Sequence, residues 1–463
     1  MRLRFGKTNR KIVGGTVAEP VEAPPFDKLW ARHLPTFSRS ARFGAITLPA
    51  VSREVWLLSL ATGLINAGYL SMMGLLKTIF VLRLGYGADF VGTLMAAGSL
   101  SFALSSLLGG ILGGRFGARR VMIAGTAVIA GGMAFLPLTE FVPAAAQPFW
   151  PPLVQVITSA GWAWVAVNLV PALMAFSEPE NRKRAYGLKE AGAGLGMFSG
   201  AIVGGLLPAF FAGALQLSLD TAAPYRYALI VAVLVALAAL IPVLRLADVP
   251  RIAQAGVPLR ASAASLRPFA PLILAALMNH AAVATVRVFY PAYLDRVFTL
   301  PTSLIGLIAS SGTLLAVAGS LAGPRLIGPR GSGFGMVIAS AGLTVSLLLM
   351  GLFDNWVAAG LGTIGTLALM GLWTLAYQVL QMEMAEPAQR SLVAGVGWMG
   401  MSSGFTLMSF GGGQIIAAQG YRPMFLLGAS LSALSALLMW RLSRRSQDRK
   451  DRTILSKEYR RKK

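Results

Sequence analysis

Two long apolar stretches of this sequence carry charged and hydrogen-bonding residues where few belong. In the stretch 269–294 stand Asn279, His280, Arg287 and Tyr290, close to helical spacing and on one broad helix face. In the stretch 55–82 the pattern recurs with Asn66, Tyr69, Met73 and Lys77. Ionisable groups inside such runs are costly, and they face a cavity or a partner. A guanidinium beside an ammonium suits an anionic or zwitterionic molecule, with Arg287 as a two-pronged clamp. The competing reading sends both long side chains along their stems to a headgroup region. Pocket walls are mostly apolar with a few orienting polar groups, and Trp164, Asn168, Trp373, Tyr377 and Gln381 could supply them. Candidates for proton transfer are Glu190 (next to Lys189), Glu383, Asp295 and His280. An imidazole in such a place serves either as a carrier or as a hydrogen-bond partner. The chain has no cysteine and two histidines, His33 and His280, so thiolate chemistry is excluded, and no metal centre or cofactor is expected.

The elements that position these residues must be membrane spans. Of 463 residues 55% are hydrophobic and 13% charged, about half the charge of an ordinary soluble domain. A helix crosses the hydrocarbon with about 20 apolar residues. Twelve such segments are predicted, at 55–82, 90–113, 120–140, 149–175, 186–213, 227–246, 269–294, 302–323, 333–352, 355–382, 392–417 and 422–441. The alternation of a membrane β-barrel is missing, so the fold class is all-α. The basic residues behind the net charge of +23 lie outside the spans or at their ends, except for Lys77, Lys189 and Arg287. Loops on one side carry thirteen Lys/Arg, among them Arg115, Arg119 and Arg120, against Arg83, Arg226, Arg296 and Arg422 on the other. With basic segments at 1–54 and 442–463, this places both termini in the cytoplasm of a multi-pass plasma (inner) membrane protein. Residues 26–43 read as a surface amphipathic helix or a plain tail, and a transit segment there stays open. No basic–aromatic face points to nucleic acid; the partners are the lipid bilayer and a small solute.

The two halves of the chain repeat. Glu178-Pro179-x-x-Arg182 matches Glu386-Pro387-x-x-Arg390 at an offset of 208. At that offset Gly187, Gly192, Gly196, Gly204 and Gly205 fall on Gly395, Gly400, Gly404, Gly412 and Gly413. Two parallel six-helix bundles follow, 55–247 and 269–441, joined by 248–268. Between spans two and three stands Gly110-x-Leu112-x-Gly114-Arg115-x-Gly117-Ala118-Arg119-Arg120. This resembles the signature loop of the major facilitator superfamily (MFS), with Gly114 in the place of its Asp and Ala118 in that of an Arg. A degenerate copy runs from Gly319 to Arg330. Span five carries Gly196-x-x-x-Gly200-Ala201-x-x-Gly204-Gly205, similar to the family's antiporter motif with Ala201 replacing a proline. Where the family's proton-linked Arg would fall in span four, this chain has Ile157.

The resemblance implies a twelve-helix transporter in which spans one and seven line a central cavity. It implies alternating access, with glycines letting spans two and eleven approach and the loop arginines latching the cytoplasmic face. The expected function is transport of a small organic solute by a monomer, and the paired basic residues suit an anionic one. Export is favoured, with proton-coupled antiport as its mode and facilitated diffusion open. A receptor or assembly factor reusing the fold is the alternative from another class. An enzyme is not expected, because the spans show no convergent catalytic chemistry.

Overall fold

The computed structural model describes residues 52–178, 181–248, 267–327, 331–385 and 390–461. The segment 26–43, most of the 248–268 loop, the end of the Gly319–Arg330 copy and Glu386-Pro387 lie outside the described residues. No strand occurs among those described. The helices are α1 (Arg53–Arg83), α2 (Ala88–Phe116), α3 (Ala118–Phe141), α4 (Trp150–Ala175), α5 (Arg182–Leu215) and α6 (Ala223–Leu244). The second half has α7 (Arg267–Arg296), α8 (Thr302–Ile327), α9 (Ser332–Leu352), α10 (Trp356–Met384), α11 (Arg390–Gln419) and α12 (Tyr421–Arg461). Eleven of them are long and apolar enough to cross a membrane. The other, α11, is 30 residues long, and its glycines and serines dilute its apolar character.

Each half packs on itself and meets the other along two seams, α2 with α11 and α5 with α8. Glycine makes both seams possible. The Cα of Gly413 lies 3.0 Å from where a Gly92 side chain would begin, and Gly306 stands 3.1 Å from the same point on Gly205. Within the first half, Gly196 and Gly200 bring α5 against the backbone of α1 at Gly63 and Ala67, and Gly204 faces Met72. Small residues are the usual device where helices associate without a hydrophobic driving force. A Cβ added at Gly200 would sit 2.5 Å from the Ala67 carbonyl oxygen, whereas one at Gly213 meets nothing within 4 Å. Gly200→Ala is therefore expected to cost about 1–3 kcal/mol of stability. Gly213→Ala should leave the melting temperature in detergent unchanged, and thermal unfolding of the pair checks the difference.

Helix α1 has one irregularity that no sequence pattern announced. Its middle, Asn66–Met72, widens into a π-helix, a feature frequent at functional sites. The widened turn carries Tyr69 and lies against α5 and α6.

One end of the bundle holds the start of α1 and the α2–α3 loop with Arg115, Arg119 and Arg120; we term it the basic end. At the opposite end the halves are bolted together. Arg83 at the end of α1 donates from both Nη atoms to the two carboxylate oxygens of Asp295 on α7, each at 2.7 Å. Arg296 donates to the carbonyls of Leu82 and Tyr86 at 3.2 and 3.0 Å. Tyr225 and Thr302 share a hydrogen bond at 3.4 Å. Nearer mid-depth the hydroxyls of Ser99 on α2 and Thr406 on α11 meet. Among the described residues no hydrogen bond or ion pair joins the halves at the basic end.

Candidate functional site

A cavity of about 320 Å³ lies between the halves, lined from α1, α2, α4, α5, α7, α8, α10 and α11. Helix α1 contributes Tyr69 and Lys77, and α7 contributes His280, Arg287 and Tyr290. Two cations from opposite halves thus face one space. Among the described residues no Asp or Glu lines it.

The two cations are held differently. Lys77 is 5% exposed, and its Nζ donates to Gln155 Oε1 at 2.5 Å. Gln155 donates onward to Ser159 at 3.0 Å, and Ser159 meets the Tyr69 hydroxyl at 3.3 Å. This relay ties the π-helical turn of α1 to α4 and fixes the ammonium at the wall. It also removes the reading in which Lys77 reaches out to a headgroup. Arg287 has only a weak acceptor, the thioether sulfur of Met370 at 3.6 Å from Nη1. It belongs to none of the ion pairs among the described residues. Its remaining donors are unspent at the cavity, in a place where unpaired donors are expensive.

Gln155, Ser159 and Trp162 on α4 line the cavity, and the sequence analysis missed them. Their spacing of four and three residues was the available signal. It pointed instead to Trp164 and Asn168, and the structure moves both off the cavity. Trp164 follows Trp162 by two residues, about 200° around the helix, and so packs against Gly109 and Gly125. Asn168 donates to the carbonyls of Gly109 and Trp164, each at 2.9 Å, and joins α4 to α2.

The α10 set is displaced likewise. Trp373, Tyr377 and Gln381 are buried inside the second half. Trp373 stacks on Tyr377 at 5.0 Å and donates to Ser340 at 3.1 Å; Gln381 donates to the Val393 carbonyl at 2.8 Å. Leu367 is the α10 residue on the wall. Asn279 accepts from Ser340 at 3.1 Å, and Asn66 donates back to the Thr62 carbonyl at 2.7 Å. Met73 is buried in the core of the first half. None of these reaches the cavity. His280 does, while its Nδ1 bonds the Ala276 carbonyl at 3.2 Å and its ring meets Trp373 edge-on at 5.1 Å.

The carboxylates named as proton carriers all have partners. Asp295 serves Arg83, Glu190 pairs with Lys189 at 2.5 Å, and Glu383 accepts from Ser332 at 2.7 Å.

The family model of the Major Facilitator Superfamily matches residues 55–397. The chain belongs to that superfamily. This MFS protein is a multi-pass membrane transporter and not an enzyme. Among solved structures, a mutant of the nucleoside transporter NupG superposes with a TM-score of 0.68 at 14% identity, over 84% of this chain and 98% of that one. A bacterial homologue of the human lysosomal transporter Spinster, inward-facing and unoccupied, gives 0.64 at 15% identity over 84% and 96%. In its inward-facing, occupied form it gives 0.62 at 16%. At these identities the likeness is one of fold. No curated protein matches the sequence.

The MFS signature loop shows where its residues differ from expectation. Gly110 faces Val167 loosely, and nothing comes within 4 Å of a side chain built at Gly114 or Gly117. The close approach of α2 to α11 rests on Gly92 and Gly413 at the other end. Gly117 is needed for its φ of +92° instead, at the junction between α2 and α3. Arg119 donates to Asp248 at 3.0 Å and to the Leu244 carbonyl at 2.8 Å. It thereby meets a carboxylate and a helix C-terminus within the first half and forms no latch to the second among the described residues. Arg115 and Arg120 are exposed.

Proposed function

We propose that this transporter carries a small organic anion outward by alternating access. The halves 55–247 and 269–441 rock about a site between Lys77 and Arg287. One observation carries the reading: among the described residues the central cavity presents two cationic side chains and no acid. Buried charge without a counter-charge is unfavourable, and a bound anion supplies what the chain omits.

The Lys/Arg asymmetry of the loops supports a cytoplasmic basic end. The bolted end then faces outward, and the cavity stands ready for solute from inside. A plasma membrane with a negative interior drives an anion out by about 2.3 kcal/mol per charge per 100 mV. Export then needs no coupled carboxylate. Proton antiport runs, in this reading, through His280 on the cavity wall. The glycines of the antiporter-like motif also serve packing, so they add little about direction. All eight cavity-lining helices come from one chain, which supports a monomeric unit.

Thermal unfolding of the purified protein against anionic, cationic and neutral solutes tests the reading. A ligand of the folded state at a hundred times its Kd stabilises by about 2.7 kcal/mol. Anions are expected to raise the melting temperature in a concentration-dependent way. Stabilisation by cations alone, or by nothing in the panel, contradicts the proposal.

A further inference from the structure

The cavity is not uniform along its depth. Lys77 stands six residues before Arg83, and Arg287 eight before Asp295, so both cations lie toward the bolted end. Gln155 and Tyr290 share that level, five residues into α4 and one before Pro291. Toward the basic end the lining gains rings and thioethers, Phe102, Phe405 and Trp398 with Met197 and Met401, and the hydroxyls of Ser99 and Ser402 and the His280 imidazole stand among them. Trp398 lies eight residues into α11 and is 54% exposed on the wall.

We infer that the solute is an amphipathic organic acid, an anionic head on an apolar, ring-sized body. The head binds toward Lys77 and Arg287, and the body lies against Phe102, Trp398 and Phe405. The inference rests on the anionic reading above and narrows it. A guanidinium with unspent donors takes a carboxylate through two parallel hydrogen bonds. Below it, aromatic faces gain from covering a flat apolar body. Met197 and Met401 adapt to bodies of different outline, so related aryl acids should share the site. A polyhydroxylated acid fits less well, because Ser99, Ser402 and His280 offer its hydroxyls few partners against the rings and thioethers around them.

The test uses full-length protein in detergent and four probes: phenylacetate, gluconate, phenylacetamide and phenethylammonium. Phenylacetate is expected to bind more tightly than each of the others by about tenfold or more. Trp398→Ala, at a half-open position that leaves the core intact, should weaken phenylacetate by about tenfold and leave gluconate unchanged. If gluconate binds as tightly and needs Arg287, the amphipathic class is overturned while the anionic reading stands. If phenylacetamide or phenethylammonium binds as well as phenylacetate, or if no probe binds, both fall.

Discussion

Arg287→Gln is expected to cut organic-anion transport by about a hundredfold without harming the fold. The only hydrogen bond of the guanidinium among the described residues is the weak one to the Met370 sulfur, so its removal strands no strong partner inside the protein. Breaking a desolvated, charge-assisted contact to a ligand costs about 3 kcal/mol, which is roughly two decades in binding. Removing an uncompensated buried charge works the opposite way on stability. The melting temperature of the empty protein should therefore hold or rise while transport falls. Arg287→Lys keeps the charge, loses the fork, and should fall between. Flux assays and thermal unfolding on the same preparations check both halves of this signature. Parallel loss of stability and transport would make Arg287 a structural residue.

Asp295→Asn should open the bolted end. The carboxylate takes both Nη atoms of Arg83 across the seam between halves, and its side chain is 5% exposed against 20% for the arginine. A paired hydrogen bond between charged groups contributes about 2 kcal/mol, so its loss shifts the balance of states by roughly thirtyfold. The absence of cysteine makes the shift readable. Gly74 lines the cavity, and a side chain there meets nothing within 4 Å. Gly74→Cys in the otherwise native chain should react with an impermeant thiol reagent from the basic end and hardly from the other. Adding Asp295→Asn should make it react from the bolted end as well. Unchanged sidedness would show that Arg296 and the glycine seams suffice to hold that end shut.

The fold was legible because membrane helices announce themselves residue by residue. Eleven predicted spans coincide with a helix to within about four residues, including the glycine-rich α11, and the twelfth begins as predicted while its helix, α12, continues twenty residues past 441. Gly204 and Gly205 repeat at Gly412 and Gly413, and the structure uses the second glycine of each pair at a seam, Gly205 against α8 and Gly413 against α2. The site was legible only in part. Tyr69, Lys77, His280, Arg287 and Tyr290 stood out because charged and hydroxyl groups are rare at that depth. Trp164, Trp373 and Tyr377 stood out equally and proved to be packing, because an aromatic residue looks the same on either face of a helix. Rotation about the helix axis decides the matter, and no span here is amphipathic enough to fix it. The relay through Gln155 and Ser159 was hidden for a further reason. It depends on the π-helical turn of α1, which has no composition of its own.

In the proposed function Lys77 and Arg287 carry an anion through the membrane. Reconstitution into vesicles with a potential set by a potassium gradient and valinomycin tests it most directly. Radiolabelled phenylacetate should move toward the positive side, carry net negative charge, and stop moving in Arg287→Gln. Equal flux in the variant, or flux of a cationic solute in its place, would contradict the account.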